Sequence, residues 1–591
     1  MRRFTFLMCA IFACMMQMNA QESKFVSTEQ QSRNVLIEEF TGRMCGYCPY
    51  GQALVNQVLA QYPGQVYTVN LHAESSLSPT SSPNLNTTKG AEVLLAFNNG
   101  GGIPAVVVNR GETMHPVEVS KVVPSMLEEV AECNIGGQVL INKETRTATV
   151  TVEVYYTANS ASATNYLTVM MVQDSIFGYQ SDYGPQLYGT PFNPEQMIDG
   201  QYVHMHTLRD YVTATWGDEI TTTTAGSLVT KTYTYEIPEV IGNPNGVEVD
   251  LSDIHFIAFV SEKKQGTKTV PILNVTGLES LFVTNAEYYP YFNTITVGGN
   301  VSCTTMKPIT FEFVNGGTQD ITSLKYEVTI WNNKTQYTWE GNLPSYSTMK
   351  VEEELNVPVA NLDAHFRIFE VNGKSHNYTE KINLVNDGWI DAYFPGDEDE
   401  FKIDILQDKY GDHITWELLN SNEEVIASGG PYATLVANGI KLHRTKVKVP
   451  NNECIKFVIY DKNGDGINNG AGEGYYKISD SKNNEIIKSD GKFGAKAEHT
   501  ISTKVGTAAI DEIANETYKI YPNPVKEILT IEGENIKQVD VYNTVGQLVK
   551  SVNYNDNAVK VNVADLQNGM YIVNVIDNNG DMMSKKVSVL K

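Results

Sequence analysis

Cysteine is scarce, at seven in 591 residues, and Cys9 and Cys14 fall within the apolar opening stretch. An exported chain held together by disulfides carries more of them, in an even number. Of the remaining five, only Cys45 and Cys48 are close in sequence. Cys133, Cys303 and Cys454 read as buried small hydrophobes rather than partners. Long apolar runs are also missing: after the opening stretch none approaches the ~20 residues that span a bilayer, so no transmembrane helix is expected in the mature chain. Positive charge is in deficit, with 44 Lys and Arg against 69 Asp and Glu and a net charge of −25. Such a surface repels phosphate and excludes nucleic acid as a partner. No Ser/His/Asp set, HExxH, phosphate loop or carboxylate pair in a helical context occurs, so hydrolase chemistry has no support.

What the chain does have is length and modular patterning. At 591 residues it exceeds one core and predicts roughly four to six domains. Residues 1–20 are expected to be a signal peptide: Arg2 and Arg3 precede an apolar Phe4–Met16, and Ala20 ends the segment with a small residue before Gln21. An alternative reading of Ile11-Phe12-Ala13-Cys14 is a lipoprotein signal that acylates Cys14. From about 33 to 132 short apolar runs alternate with helical spacing, which suggests a small α/β domain. From 134 onward the pattern becomes period-two, as in TATVTVEVYY, NYLTVMMVQD and LVTKTYTYEI, the mark of β-sandwiches. Further all-β stretches cover 280–385 and, after the acidic linker NDGWIDAYFPGDEDEF, 386–503.

Cys45 and Cys48 stand where the strand Val35–Phe40 gives way to a helix at Pro49. A thiolate at a helix start faces unpaired backbone N–H groups and the positive end of the macrodipole, which lowers its pKa. The second cysteine, one turn on, can resolve a mixed disulfide. Proline is tolerated in a first turn because its missing N–H has no acceptor to lose there. A permanent disulfide and a zinc site are the other readings. Zinc wants about four ligands, and His72, His115 and Cys133 are scattered with no second CxxC or HxxxH nearby. His204 and His206 alternate on what the pattern makes a strand, a spacing that could turn two imidazoles to one metal, though no acid or cysteine is placed with them. Asp461, Asn463 and Asp465 have the alternate oxygen spacing of a calcium loop, with Gly466 for the sharp turn and the Asp397–Glu400 run to complete it. The pattern then breaks, since Gly472 holds the twelfth position and Glu473 comes one residue late. A wide Asx/Gly turn uses the same residue types.

Three resemblances add to these readings. YPNP at 521–524, VYN at 541–543 with Gly546, and Leu566 with Gly569-Met570-Tyr571 resemble the type A sorting domain of type IX secretion cargo in Bacteroidota. This implies recognition by the type IX machinery and export to the outer-membrane surface or beyond. Residues 33–132 resemble thioredoxin-like proteins. That resemblance implies Glu39 as the buried acid relaying the resolving thiol's proton, and Pro104, after Ile103, as a cis-proline that receives substrate backbone. Glu38 is expected on the opposite face, solvated. Thr41 and Met44 depart from the family's aromatic residues at these places. With Tyr202, His204, His206, Leu208 and Arg209, the span 33–275 resembles the outer-membrane-protein-28-related family of Bacteroidota surface proteins, which implies location more than activity.

The expected fold is therefore multi-domain: an N-terminal α/β thioredoxin-like domain (33–132), tandem all-β immunoglobulin-like or jelly-roll sandwiches (134–275, 280–385, 386–503), and a small all-β sorting domain (516–591). Two functions stand. One is thiol–disulfide exchange on protein dithiols or disulfides by Cys45, Cys48, Glu39 and Pro104, with no required cofactor and Ca2+ as an optional ion. The other is non-enzymatic binding of a surface or host ligand, with the N-terminal part as scaffold.

Overall fold

The computed structural model describes residues 23–264, 269–298, 301–394, 399–436, 439–468, 470–505, 518–543, 547–577 and 582–590. The expected leader with Cys14, Asp397 and Glu398 of the acidic linker, and Gly546 lie outside them. The chain forms two compact units: one holds the chain up to Tyr291 with Val314–Thr322 and Gly341–Met349, the other Phe292–Phe313, Ser323–Glu340 and the chain from Lys350.

The first unit opens with β1 (Val35–Thr41), α1 (Cys48–Gln61), β2 (Val66–His72), α2 (Thr88–Phe97), β3 (Ala105–Val108), β4 (Thr113–Met114) and α3 (Val119–Leu127). It continues with β5 (Cys133–Asn142), β6 (Thr147–Tyr156), β7 (Asn165–Gln173), β8 (Ile176–Gly178), α4 (Gly184–Tyr188), β9 (Met197–Ile198), β10 (Gln201–His204) and β11 (Thr207–Tyr211). Then come β12 (Asp218–Ile220), β13 (Leu228–Glu236), β14 (Val240–Ile241), β15 (Val247–Glu248), β16 (Ile254–Ser261) and β17 (Ile272–Val283).

Strand accounts for 53% of the structure and helix for 9%, so the chain is mostly all-β, and the expectation of an N-terminal α/β thioredoxin-like domain is corrected. The strand–helix alternation is present locally, with β1 parallel to β2 and antiparallel to β3. These strands do not close a sheet of their own. They are one end of a 12-stranded sheet ordered β13-β6-β5-β17-β16-β7-β11-β2-β1-β3-β4, with β12 on β7. The join is β2 to β11, where Thr207 pairs with Asn70 and the Asn70 side chain donates to Met205 O at 2.8 Å. The core is shared in the same way. Leu36, Phe40, Val69 and Leu71 pack with Val93 of α2 and with Met170, Val172, Leu208 and Phe259. The opposite face of β1 packs Val35 and Ile37 under Val55 and Val58 of α1 and Val119 and Val123 of α3. Farther along the sheet, β6 alternates, burying Ala148, Val150, Val152, Val154 and Tyr156 on one face; Glu153 on the other face is buried as well, where it accepts the N–H groups of Lys24, Phe25 and Val26.

The second unit is built from sheets among the described residues. Around 290–385 a ring cluster of Phe292, Phe311, Phe313, Tyr326 and Phe366 fills the space between strands, with Phe292 and Phe313 centroids 5.1 Å apart. Around 390–505 five- and four-stranded sheets enclose Trp416, Phe401, Phe457 and Tyr476. The C-terminal strands, from Tyr518–Tyr521 to Met582–Val589, form a five-stranded sheet over Leu529, Ile531, Val539, Val561 and Val573. Cys303 and Cys454 are bonded to each other, which corrects the reading of both as unpaired hydrophobes. Their separation of 151 residues leaves no local signal of pairing. Cys133 is a free buried thiol, as expected of a small hydrophobe.

Candidate disulfide site at the first helix

The loop between β1 and α1 is wound tightly by its own backbone. Cys45 N–H donates to Gly42 O at 3.0 Å, Cys48 N–H to Cys45 O at 3.3 Å, and Gly51 N–H to Tyr47 O at 3.3 Å. This brings Cys45 and Cys48 together as a disulfide with Cα atoms 5.4 Å apart. Tyr47 precedes α1 without a side-chain cap and Pro49 stands in the first turn, so the turn's N–H groups have no capping side chain. Cys48 is fully buried and Cys45 is 4% exposed. Cys45 Sγ lies 3.7 Å from Ile103 O, and the Ile103–Pro104 peptide is cis.

Glu39 points from β1 toward α1 and is fully buried. Neither carboxyl oxygen has a hydrogen-bond partner, and burial pushes its pKa well above the ordinary glutamate range. The space around it is tight: a Cβ on Gly51 would meet Pro104 Cβ at 2.9 Å and Glu39 Oε1 at 3.1 Å. Glycine at 51 thus lets Glu39, Pro104 and the first turn of α1 converge on one point. Glu38, alternating to the other face, is buried rather than solvated. Arg110 Nε and Nη2 each donate to it at 2.9 Å, and this overturns the expectation for Glu38. The pairing needed a partner 72 residues away, with Arg110 itself fully buried over Phe259 at 4.6 Å. Thr41 is buried and accepts from Gln52 Nε2 at 3.4 Å, while Met44 is exposed.

Two distant segments seat on the Cys45–Cys48 loop. The insertion after β2 accepts from Arg43, whose Nη2 donates to Ser81 O at 2.7 Å, and Met44 N–H donates to Leu77 O at 2.8 Å. From the β8–α4 connection, Gln180 Nε2 donates to Cys45 O at 3.0 Å and to Gly42 O at 3.2 Å. Ser181 N–H donates to Arg43 O at 2.7 Å, and Tyr183 N–H to Gly46 O at 3.0 Å. The Tyr183 ring meets Tyr47 edge-on at 5.3 Å, and Phe192 lies 5.4 Å from Tyr50, so exposed Tyr47, Tyr50 and Tyr183 and half-buried Phe192 form an aromatic patch beside the loop. Beside it a groove of about 470 Å³ is lined by Tyr47, Gly102–Ala105 and Thr113–His115. Gln180 and Tyr183 carry no motif; only their place in the folded sheet brings them here.

The other sequence candidates lie elsewhere. His204 and His206 do not face one point, because Met205 interrupts the strand and His206 takes a left-handed φ of 53°. His204 is buried beside His72, their ring centroids 6.1 Å apart, and burial, with the Arg43 charge, pulls its imidazole down to about 3. His206 instead meets Asp174 and His255. In the second unit Asp461 is buried and its Oδ2 accepts the N–H groups of Asp465 at 2.9 Å and Gly466 at 3.1 Å, the bonding of an Asx turn. Asn463 and Asp465 are exposed. Burial first, then the carboxylate of Asp465, raises the Asp461 pKa.

Residues 94–278 match the sequence profile of the family described as outer membrane protein Omp28, and residues 519–589 that of the secretion system C-terminal sorting domain. The first match begins within α2, after Cys45 and Cys48, so it covers Pro104, β3, α3 and the sandwich but not the cysteines. No curated protein matches the sequence. Among solved structures, a protein from Agrobacterium tumefaciens is 12% identical, over 42% of this chain and 96% of its own, at a TM-score of 0.26. The BSP domain of a biofilm-associated protein is 12% identical, over 78% of this chain and 96% of its own, at a TM-score of 0.16. At such TM-scores neither likeness bears on the chemistry of this chain. No helix among the described residues is long and apolar enough to cross a membrane. The chain is thus a protein exported to the outer-membrane surface or the extracellular space, with residues 94–278 similar to the Omp28 family and a type IX secretion sorting domain at 519–589.

Proposed function

We propose that this exported protein performs thiol–disulfide exchange at Cys45 and Cys48 on the cell surface. The observation that carries the reading is a local disulfide at an uncapped helix start, in a helix whose first turn packs at Gly51 against a fully buried carboxyl with no partner. In the oxidised state a substrate thiolate attacks Cys45 Sγ and Cys48 leaves as a thiolate, favoured by the N–H groups of the first turn. A second substrate thiol then displaces Cys45, so the substrate gains a disulfide and the two cysteines gain two electrons and two protons. Glu39, kept protonated by burial, supplies and recovers the proton of Cys48. The groove at Pro104 holds the substrate backbone, and the partners are protein dithiols or disulfides.

The test is insulin reduction by dithiothreitol in the presence of the full mature chain. Wild type is expected to accelerate the reaction, and Cys45→Ser to return it to background. Equal rates for wild type, Cys45→Ser and buffer overturn the reading. One observation favours the second reading, non-enzymatic surface binding: Cys45 is 4% exposed under a cover of Gln180 and Ser181, where the disulfide serves as a clip for the loop.

A further inference from the structure

Asp174, His206 and His255 come from three places in the sequence and meet at one end of three neighbouring strands. In the sheet β11, β7 and β16 are adjacent, and Gln173 at the end of β7 pairs with Thr207 on one side and Ile254 on the other. The residues next to these three positions are Asp174, His206 and His255. Asp174 Oδ1 lies 3.3 Å from His206 Nδ1, and Oδ2 lies 3.4 Å from His255 Nδ1. All three donor groups offer an atom within 4.8 Å of the other two.

We propose that Asp174, His206 and His255 form a three-ligand site for a divalent transition-metal ion of the zinc type. Two imidazole nitrogens and one carboxylate oxygen are the donor set such ions take, with three protein ligands leaving a position open. An ion about 2.1 Å from each donor in tetrahedral geometry holds the donors about 3.4 Å apart; each ring nitrogen already stands at that separation from one oxygen of the shared carboxylate, His206 from Oδ1 and His255 from Oδ2. The backbone prepares this arrangement. His206 N–H donates to Asp174 Oδ1 at 2.5 Å, which orients the carboxylate, and Asp174 N–H donates to Asp253 O at 2.9 Å. The left-handed turn at His206 aims its ring at Asp174 instead of along the strand. The side chains are 24%, 23% and 35% exposed for His206, Asp174 and His255, so the open position faces water. A structural ion pair between Asp174 and the two rings is the competing account, and metal affinity separates the two.

The test is titration of the full mature chain, stripped by a chelator, with Zn2+ against a chromophoric competitor. One equivalent is expected to bind at micromolar Kd or tighter, with no competition from millimolar Mg2+, which prefers all-oxygen sites. His206→Ala and His255→Ala are each expected to weaken binding by more than the roughly 10–100-fold that loss of an outer-shell partner costs. Circular dichroism of the metal-free proteins checks the fold. His255→Ala carries the comparison if His206→Ala fails to fold, because over a third of the His255 side chain already meets solvent in a regular strand. Failure of wild type to bind an equivalent overturns the proposal. So does a folded His255→Ala that binds Zn2+ as tightly as wild type.

Discussion

Glu38 and Glu39 follow one another on β1 and both are fully buried, yet the two faces of the strand treat them oppositely. On the face shared with the sandwich, Arg110 grips Glu38 with two hydrogen bonds of 2.9 Å, and its guanidinium stacks over Phe259 and Trp216. On the face beneath α1, Glu39 has nothing to accept or share its charge. A carboxylate that has lost its water needs a cation or donors; without them it holds its proton instead. One face therefore contains a structural ion pair and the other a lone buried carboxyl that keeps its proton, one residue apart.

The largest expected effect comes from breaking the paired face. Glu38→Gln leaves Arg110 buried without a counter-charge, and removing one partner of such a pair costs about 3–5 kcal/mol. Denaturant unfolding of the first unit should register this loss. Replacing both partners, as Glu38→Leu with Arg110→Met, should recover most of it, because a buried ion pair is often matched by apolar residues of similar volume. A Glu38→Gln variant as stable as wild type would show that the pair contributes nothing to the difference between the faces.

The unpaired face is probed by pH. As pH rises above the ordinary glutamate range, the unfolded chain releases this proton while folded Glu39, its pKa raised by burial, keeps it. Wild type then loses stability by about 1.4 kcal/mol per pH unit until the raised folded pKa is passed. The contribution is present in full below the unfolded pKa and is lost upward through that window. Glu39→Gln should remove this slope and leave the stability at acid pH little changed. The check is a set of denaturation curves for both proteins from about pH 4 to pH 8. Parallel curves would mean that Glu39 ionises freely and stores no proton.

How much of this was legible beforehand depends on how far apart the interacting residues lie. Alternation along a strand is local, so the opposed directions of Glu38 and Glu39 follow from their being consecutive. The buried set of β6 likewise follows from period-two spacing, and the sorting module from three clustered motifs. Solvation of Glu38 could not be judged in this way, because Arg110 reaches it from beyond β3. The β2–β11 join escaped for the same reason, since one edge pairing made an α/β segment the end of a larger sheet. Cys303 and Cys454 lie 151 residues apart, and Gln180 reaches Cys45 across 135 residues. At the candidate site, the cysteine spacing and helix start were readable, whereas its cover and the company of His206 required the fold.

The smallest effect separates the buried carboxyl from the cover of the disulfide loop. Tyr183 packs edge-on against Tyr47 at 5.3 Å, and its ring carbons lie 2.6 Å from where a Cβ on Gly46 would stand. Tyr183→Ala should cost about 0.5–1.5 kcal/mol for the aromatic contact. It should also speed reduction of Cys45–Cys48 by a small dithiol, read by trapping the freed thiols over time. The gain should be the same factor at every pH, because an aromatic ring without a charge controls access and not protonation. Glu39→Gln should instead change the shape of the pH profile while leaving access alone. If Tyr183→Ala altered the profile's shape, the cover and the buried acid would be acting as one element. The division between the two faces of β1 would then run through the loop above the strand rather than through the strand itself.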